Sequence, residues 1–399
     1  MAPTKFEDIL KADFVPSSDD DWEWLDVYAR QVFLPTAPID EGRLFVGRLS
    51  QIRALLDVIY QRGAHAIIFG ERGVGKTSLV NIINDRVIGP SRFNKVLKIS
   101  CAPNDTFTTV WSNVFFPFSI DGKPVSESIA ANPQPFTVYK IAESLPTVSS
   151  RYLIILDEFD RIQNDEAKTL IADTIKYFSD NPLKFTILVV GVGNSIEQLF
   201  GSHPSIQRCC VQIRMPRMSP QELREIVDTR LPKLHMRTST DVTDKMVQFS
   251  QGLPGYMHLL GLLSARNAIS ERQQTIKLGQ LELAVSQALE KADESTRRDY
   301  YKAIQSTKPD NRYREVLLAC ALVPKNELGQ FSASDVCVPY SLIMKKPVGI
   351  EHFARHLSAF CDADRGPALI KSGKPKRFMY HFANPLLEPL VAMIGRQEA

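Results

Sequence analysis

Four short apolar runs punctuate the first half of the chain: Ala64 to Phe69, Val96 to Ile99, Tyr152 to Leu156 and Thr186 to Val190. Each has the length of a buried strand, and the stretches between them can hold helices. After the first run Leu79, Ile82, Ile83 and Val87 recur at helical spacing. The alternation predicts an α/β fold with a parallel sheet and helical crossovers. Residues 116–134, rich in Pro, Gly and Ser, read as a surface insertion.

After Pro216 the strand pattern stops, and Ser219 and Pro220 stand ahead of QELREIVDTRL as the cap and first turn of a helix. Helical spacing continues to about residue 305, where a polar segment containing Pro309 marks another boundary. Beyond it, periodicity predicts three helices and a hairpin. Val316, Leu317, Cys320 and Ala321 line the first helix, and Ser332 or Ser334 caps the second, up to Ile343. The third runs from Val348, with Ile350, Phe353, Ala354, Leu357 and Phe360 inward and Glu351, His352, Arg355 and Ser358 outward. Strands at 367–370 and 377–382 then flank a basic turn, the pattern of a winged helix with a cationic wing. The expected segments are an arm (1–43), an α/β core (44–218), a helical lid (219–305) and a winged-helix domain (306–399).

Composition agrees with several globular domains: 399 residues, 44% hydrophobic and 23% charged, which excludes a disordered or fibrous chain. No apolar run reaches the roughly 18 residues that cross a bilayer, and acids stand where a signal peptide would be apolar, so neither secretion nor membrane insertion is expected. The six cysteines show no CxxC spacing and lie in apolar or helical contexts, which fits buried free thiols in a reducing cytoplasm. A net charge of +3 is too small to advertise nucleic-acid binding by bulk field. Its distribution is uneven. Glu7, Asp8, Asp13, Asp19, Asp20, Asp21, Glu23 and Asp26 crowd the N-terminus, whereas Arg365, Lys371, Lys374, Lys376 and Arg377 form a basic window near the other end, so the two ends are expected to meet different partners.

The strongest chemical signal is Gly70-Glu71-Arg72-Gly73-Val74-Gly75-Lys76-Thr77, which matches GxxxxGK[ST] between an expected strand and an expected helix, with Ser78 next to it as a further nucleotide-binding candidate. Glycines let the backbone wrap phosphate oxygens and present N–H groups, with the helix N-terminus adding positive potential. Lys76 is placed for the β and γ phosphates of ATP or ADP, and Thr77 for Mg²⁺. Asp157 and Glu158 end the third apolar run at the sheet edge where ligands bind. Asp157 is the second Mg²⁺ residue, and Glu158 is placed to polarise the attacking water. Asn194, after the fourth run, either reaches the γ phosphate or caps the next helix. Arg208, Arg214 and Arg217 are candidate transition-state charge donors or plain surface arginines.

These motifs resemble the AAA+ origin-recognition and replication-initiator clade, and the related signalling ATPases called STAND proteins. The resemblance rests on Phe45-Val46-Gly47-Arg48, LDEFD at 156–160, GVGNS at 191–195 and Arg208 in SIQRC. It covers roughly residues 44–270 and extends to the winged helix. It implies an ASCE/AAA+ P-loop NTPase core that hydrolyses ATP, Phe45, Val46 and Arg48 packed on adenine, Asn194 as sensor 1, and an arginine at 208 acting in trans within a homo-oligomer. Where initiators carry a lid arginine, this chain has Gly252-Leu253-Pro254-Gly255-Tyr256, similar to the GxP signature of STAND ATPases, with Pro254 touching the base or hinging the lid.

For the C-terminal segment two readings stand. In one, Arg355 enters a groove of double-stranded DNA while Lys371, Lys374, Lys376 and Arg377 neutralise phosphates. In the other, the winged helix docks a protein effector. His352 and His356 lack a companion Cys or carboxylate cluster, so no zinc is expected.

Overall fold

The computed structural model describes residues 6–11, 13–35, 38, 45–88, 93–117, 119–120, 123–124, 137–144, 151–181, 184–193, 195–201, 204–306, 311–326, 328–374 and 377–397. They fall into two compact units. One comprises Met1–Ala37, Arg72–Val74 and Pro216–Ala399, the other Pro38–Glu71 and Gly75–Met215.

The second unit is built on a five-stranded sheet of β1 (His65–Gly70), β2 (Phe93–Ser100), β3 (Arg151–Asp157), β4 (Phe185–Val192) and β5 (Cys210–Arg214). The order is β2-β3-β4-β1-β5 and every pairing is parallel. The central strands β1, β3 and β4 are buried on both faces, as a parallel sheet covered by helices requires. An aromatic cluster of Trp111, Phe115 and Phe178 seals the helices Phe107–Phe115 and Asp165–Asp180 onto it. Four strands fall where the apolar runs predict them. The fifth, β5, lies in a stretch read above only for its arginines. It is an edge strand whose Val211 is exposed, so its apolar residues make neither a run nor a clean alternation.

In the first unit the helix Asp19–Val32 starts at a capping box of Ser18 and Asp21 and packs on the helix Pro254–Ser270. Phe33 lies so close to Gly261 that a Cβ there would sit 2.4 Å from its ring. Arg230 Nε donates to the Val32 carbonyl (3.1 Å), and Leu34 N–H donates to His258 Nδ1 (3.1 Å). Asp26 pairs with Arg266 at 2.6 Å, and Asp19 pairs with Arg272. Two of the N-terminal acids therefore meet arginines of their own unit.

Ser219 caps Pro220–Arg230 as expected, through a capping box with Glu222, and this is the first of five helices in residues 219–305, followed by Thr240–Ser250, Pro254–Ser270, Leu278–Glu290 and Glu294–Ile304. The C-terminal segment then runs through the helix Tyr313–Leu322, β6 (Phe331–Ser332), the helix Ala333–Met344 capped by Ser332 and Asp335, a broken third helix, β7 (Leu369–Ser372), β8 (Met379–Phe382) and the helix Leu387–Gln397. The three strands form an antiparallel sheet in the order β6-β8-β7. The element order of the segment is helix, strand, helix, helix, strand, strand, helix.

The third helix keeps Phe353, Leu357 and Phe360 inward and Glu351, His352, Arg355 and Ser358 outward, as expected, but it is not continuous. It is a 3-10 turn, Ile350–His352, followed by Ala354–Ala359, with Phe353 at φ −131° and ψ −4° between them. Around the break two expected inward residues are out, Ile350 at 38% exposed and Ala354 exposed, while His356 is buried against Tyr313. Among the described residues all six cysteines are free, and no helix is long and apolar enough to cross a membrane.

Candidate nucleotide-binding site

The loop between β1 and the helix Lys76–Ile88 takes its shape from its glycines. A Cβ on Gly70 would lie 2.3 Å from the Met215 carbonyl oxygen, and Gly73 and Gly75 hold φ at +88° and +93°, where side chains are strained. Lys76, buried at the start of the helix, folds back so that its Nζ donates to the carbonyls of Gly70 (2.9 Å) and Glu71 (2.7 Å).

Parallel pairing brings the acids to the same edge. Asp157 ends β3, 3% exposed, with Thr77 Oγ1 donating to its Oδ1 at 3.5 Å. The same oxygen accepts the Glu158 N–H at 2.9 Å. The other oxygen, Oδ2, lies 3.1 Å from Lys98 Nζ, on β2. Glu158 follows at φ 55°, half exposed, its Oε2 2.6 Å from Arg161 Nη1. Asp160 Oδ1 accepts the Val192 N–H at 2.7 Å and so ties the acidic turn to the end of β4. Cys101 stands behind these acids. Burial, with the charges of Asp105, Asp157, Asp160 and Glu158, pushes its thiol up to about 12, so it stays protonated and unreactive.

A threonine hydroxyl beside a buried carboxylate is a hard-oxygen donor set, which fits Mg²⁺ with several retained waters. Thr77 and Asp157 are the residues that would hold it.

Of the remaining expected site residues, Ser78 lies in the first turn of the loop helix, and Phe45 and Val46 are half-buried. Arg48 is buried and begins the helix Leu49–Tyr60 in a left-handed conformation. Pro254 is the first residue of its helix. Arg208 is exposed, 3.5 Å from Asp180. Arg217 lies 2.8 Å from Glu388 and donates to the Gln251 carbonyl. Asn194 and Lys376 lie outside the described residues. In the C-terminal segment Arg355, Lys374 and Arg377 are exposed, and Lys371 lies 4.1 Å over the Phe378 ring. Three residues that contact the two acids or their partners escaped the reading from sequence: Lys98, Asn81 and Arg161. Only Lys98 carries a signal, as a cation inside the apolar run Val96 to Ile99.

The family model described as novel STAND NTPase 1 matches residues 38–328. No curated protein matches the sequence. Among solved structures, the ORC2 protein of Aeropyrum pernix, in ADPNP-ADP complexes, is 15% identical, with 92% of this chain and 98% of that chain covered and a TM-score of 0.50. A Walker-type ATPase of Pyrococcus abyssi is 14% identical over 90% of this chain and 99% of that one, with a TM-score of 0.51. Cdc6p from Pyrobaculum aerophilum is 15% identical over 92% and 98%, with a TM-score of 0.48. At such identities the likeness is one of fold.

Proposed function

Because the chain belongs to the novel STAND NTPase 1 family and is a P-loop ATPase with an AAA+ fold like that of the ORC proteins, we propose that it is a slow ATP-driven switch whose C-terminal winged helix docks a protein effector. The observation that carries the ATPase half is the convergence of Lys76, Thr77, Asp157 and Glu158 on one sheet edge.

In this reading the N–H groups of the glycine loop receive the phosphates, and Lys76 exchanges two carbonyls for phosphate oxygens. Thr77 and Asp157 hold the metal. Mg²⁺, when bound, offsets charge on the phosphate oxygens. Glu158, freed from Arg161, accepts a proton from the attacking water. Arg208, with a weak exposed partner, is available to a neighbouring copy, so ATP-dependent self-association belongs to the same proposal.

Effector docking is supported by the exposed Val338 (68%) and Leu342 (74%), one turn apart on the helix Ala333–Met344. The family match points the same way. The rival reading, engagement of duplex DNA, draws on exposed Arg355, Lys374 and Arg377. Turnover measured with and without duplex at matched salt separates the two: an unchanged rate supports effector docking, and stimulation supports DNA. A melting temperature unmoved by millimolar ATP and Mg²⁺ overturns the nucleotide-site reading itself.

A further inference from the structure

Asp157 has a protein-borne cation of its own. Its carboxylate is buried, 3% exposed, and a charge so buried needs a partner. Lys98 supplies it, with Nζ 3.1 Å from Oδ2, while Oδ1 faces Thr77 and the Glu158 N–H. The ammonium is held from a second side, since it donates to Asn81 Oδ1 at 2.8 Å, and Asn81 stands on the helix that follows the phosphate loop. Register fixes the rest: β2 runs beside β3 with Ser100 opposite Asp157, which places Lys98 two residues back on the same face of the sheet.

We propose that Lys98 is a positioning residue that acts through Asp157: as its resident counter-ion it holds the carboxylate turned toward Thr77 and weakens the site's attraction for Mg²⁺. This rests on the nucleotide-site reading given above. Three consequences follow from the geometry. Asp157 keeps its orientation toward Thr77. A fixed positive charge beside it repels a divalent cation bound on its other oxygen. Nucleotide binding is therefore less dependent on Mg²⁺ than the donor set alone would make it.

The test is a Mg²⁺ titration of a fluorescent ATP analogue bound to the full chain, read by fluorescence and not by turnover. Lys98→Met removes the charge, and Lys98→Gln removes it while keeping a hydrogen-bonding side chain, in case the methionine variant fails to fold. Both are expected to lower the Mg²⁺ concentration at half-saturation by roughly tenfold. Lys98→Arg keeps a cation and is expected to stay within about twofold of the parent. Without metal, Lys98→Met should melt below the parent, and adding Asp157→Asn should restore much of the loss, because the orphaned charge is then gone. Equal half-saturation in the parent and the charge-removing variants overturns the role of Lys98. A parent that binds no nucleotide at all overturns the site reading instead, a failure visible before any variant is made.

Discussion

Arg161 Nη1 lies 2.6 Å from Glu158 Oε2, one 3-10 turn along the chain from the carboxylate it holds. Both side chains are half exposed, and such a pair contributes about 0.2–1 kcal/mol. A restraint that weak cannot block hydrolysis, but it can bias the resting position of the acid. Arg161→Ala is therefore expected to raise ATP turnover by no more than about fivefold. Glu158→Gln is expected to bind ATP like the parent and to lose about two orders of magnitude or more in turnover. Lys76→Ala should lose ATP binding itself. Single-turnover rates beside equilibrium binding check all three, and parent-like turnover in Glu158→Gln would remove the assigned base.

The phosphate loop was legible because its chemistry dictates residue types at fixed spacing, and the lid helix because Ser219, Pro220 and Glu222 write a cap directly into the chain. What escaped depends on partners remote in sequence. Lys98 makes sense only beside Asp157 in the next strand of the sheet, and Asp19 and Asp26 only beside Arg272 and Arg266. The third C-terminal helix misled for another reason. Its apolar spacing fits a continuous helix, whereas the turn at Phe353 is a backbone choice that leaves no trace in hydrophobicity.

Glu388 is fully buried between two cations of its own unit, Arg217 at 2.8 Å and Lys325 at 2.6 Å. Arg217 precedes the lid helices and Lys325 follows the helix Tyr313–Leu322, so the carboxylate joins the lid segment to the C-terminal segment. Burial lowers the Lys325 pKa, and Glu388 opposes that shift. Glu388→Ala strands both cations and is expected to cost about 3–5 kcal/mol. Replacing all three with Met, Met and Leu should be close to neutral. Denaturant midpoints check this, and an unshifted midpoint for Glu388→Ala would mean that the triad contributes nothing.

Acid should destabilise the protein through two histidines. His65 and His258 are buried, and each Nδ1 accepts a backbone N–H, from Ile187 (2.9 Å) and Leu34 (3.1 Å). Desolvation lowers His65 to about 4 and, with Arg230 adding to it, His258 to about 3. The unfolded chain takes up protons near pH 6.5 that the native state refuses. Their contribution is therefore complete above pH 6.5 and declines on acidification, toward pH 4 for His65 and pH 3 for His258. Each adds a slope of about 1.4 kcal/mol per pH unit. His258→Asn keeps an acceptor without titrating and should flatten the profile between pH 6 and 4. An unchanged slope would contradict a neutral buried His258.

Whatever duplex affinity the protein has should sit at the basic turn between β7 and β8. A net charge of +3 supplies little long-range field, so binding has to come from a local patch. Lys374 and Arg377 are exposed there, whereas Lys371 already rests on Phe378. Each free cation that meets a phosphate releases about one counterion, so the double substitution Lys374→Ala, Arg377→Ala should reduce the slope of log affinity against log salt by about 2, uniformly across sequences. ATP turnover should not respond to the duplex in either protein. Val338→Asp with Leu342→Asp should leave the melting temperature and ATP binding unchanged, because both side chains already face solvent. Turnover that rises with duplex in the parent and loses the rise in Lys374→Ala, Arg377→Ala would transfer the output of this switch from a protein effector to DNA.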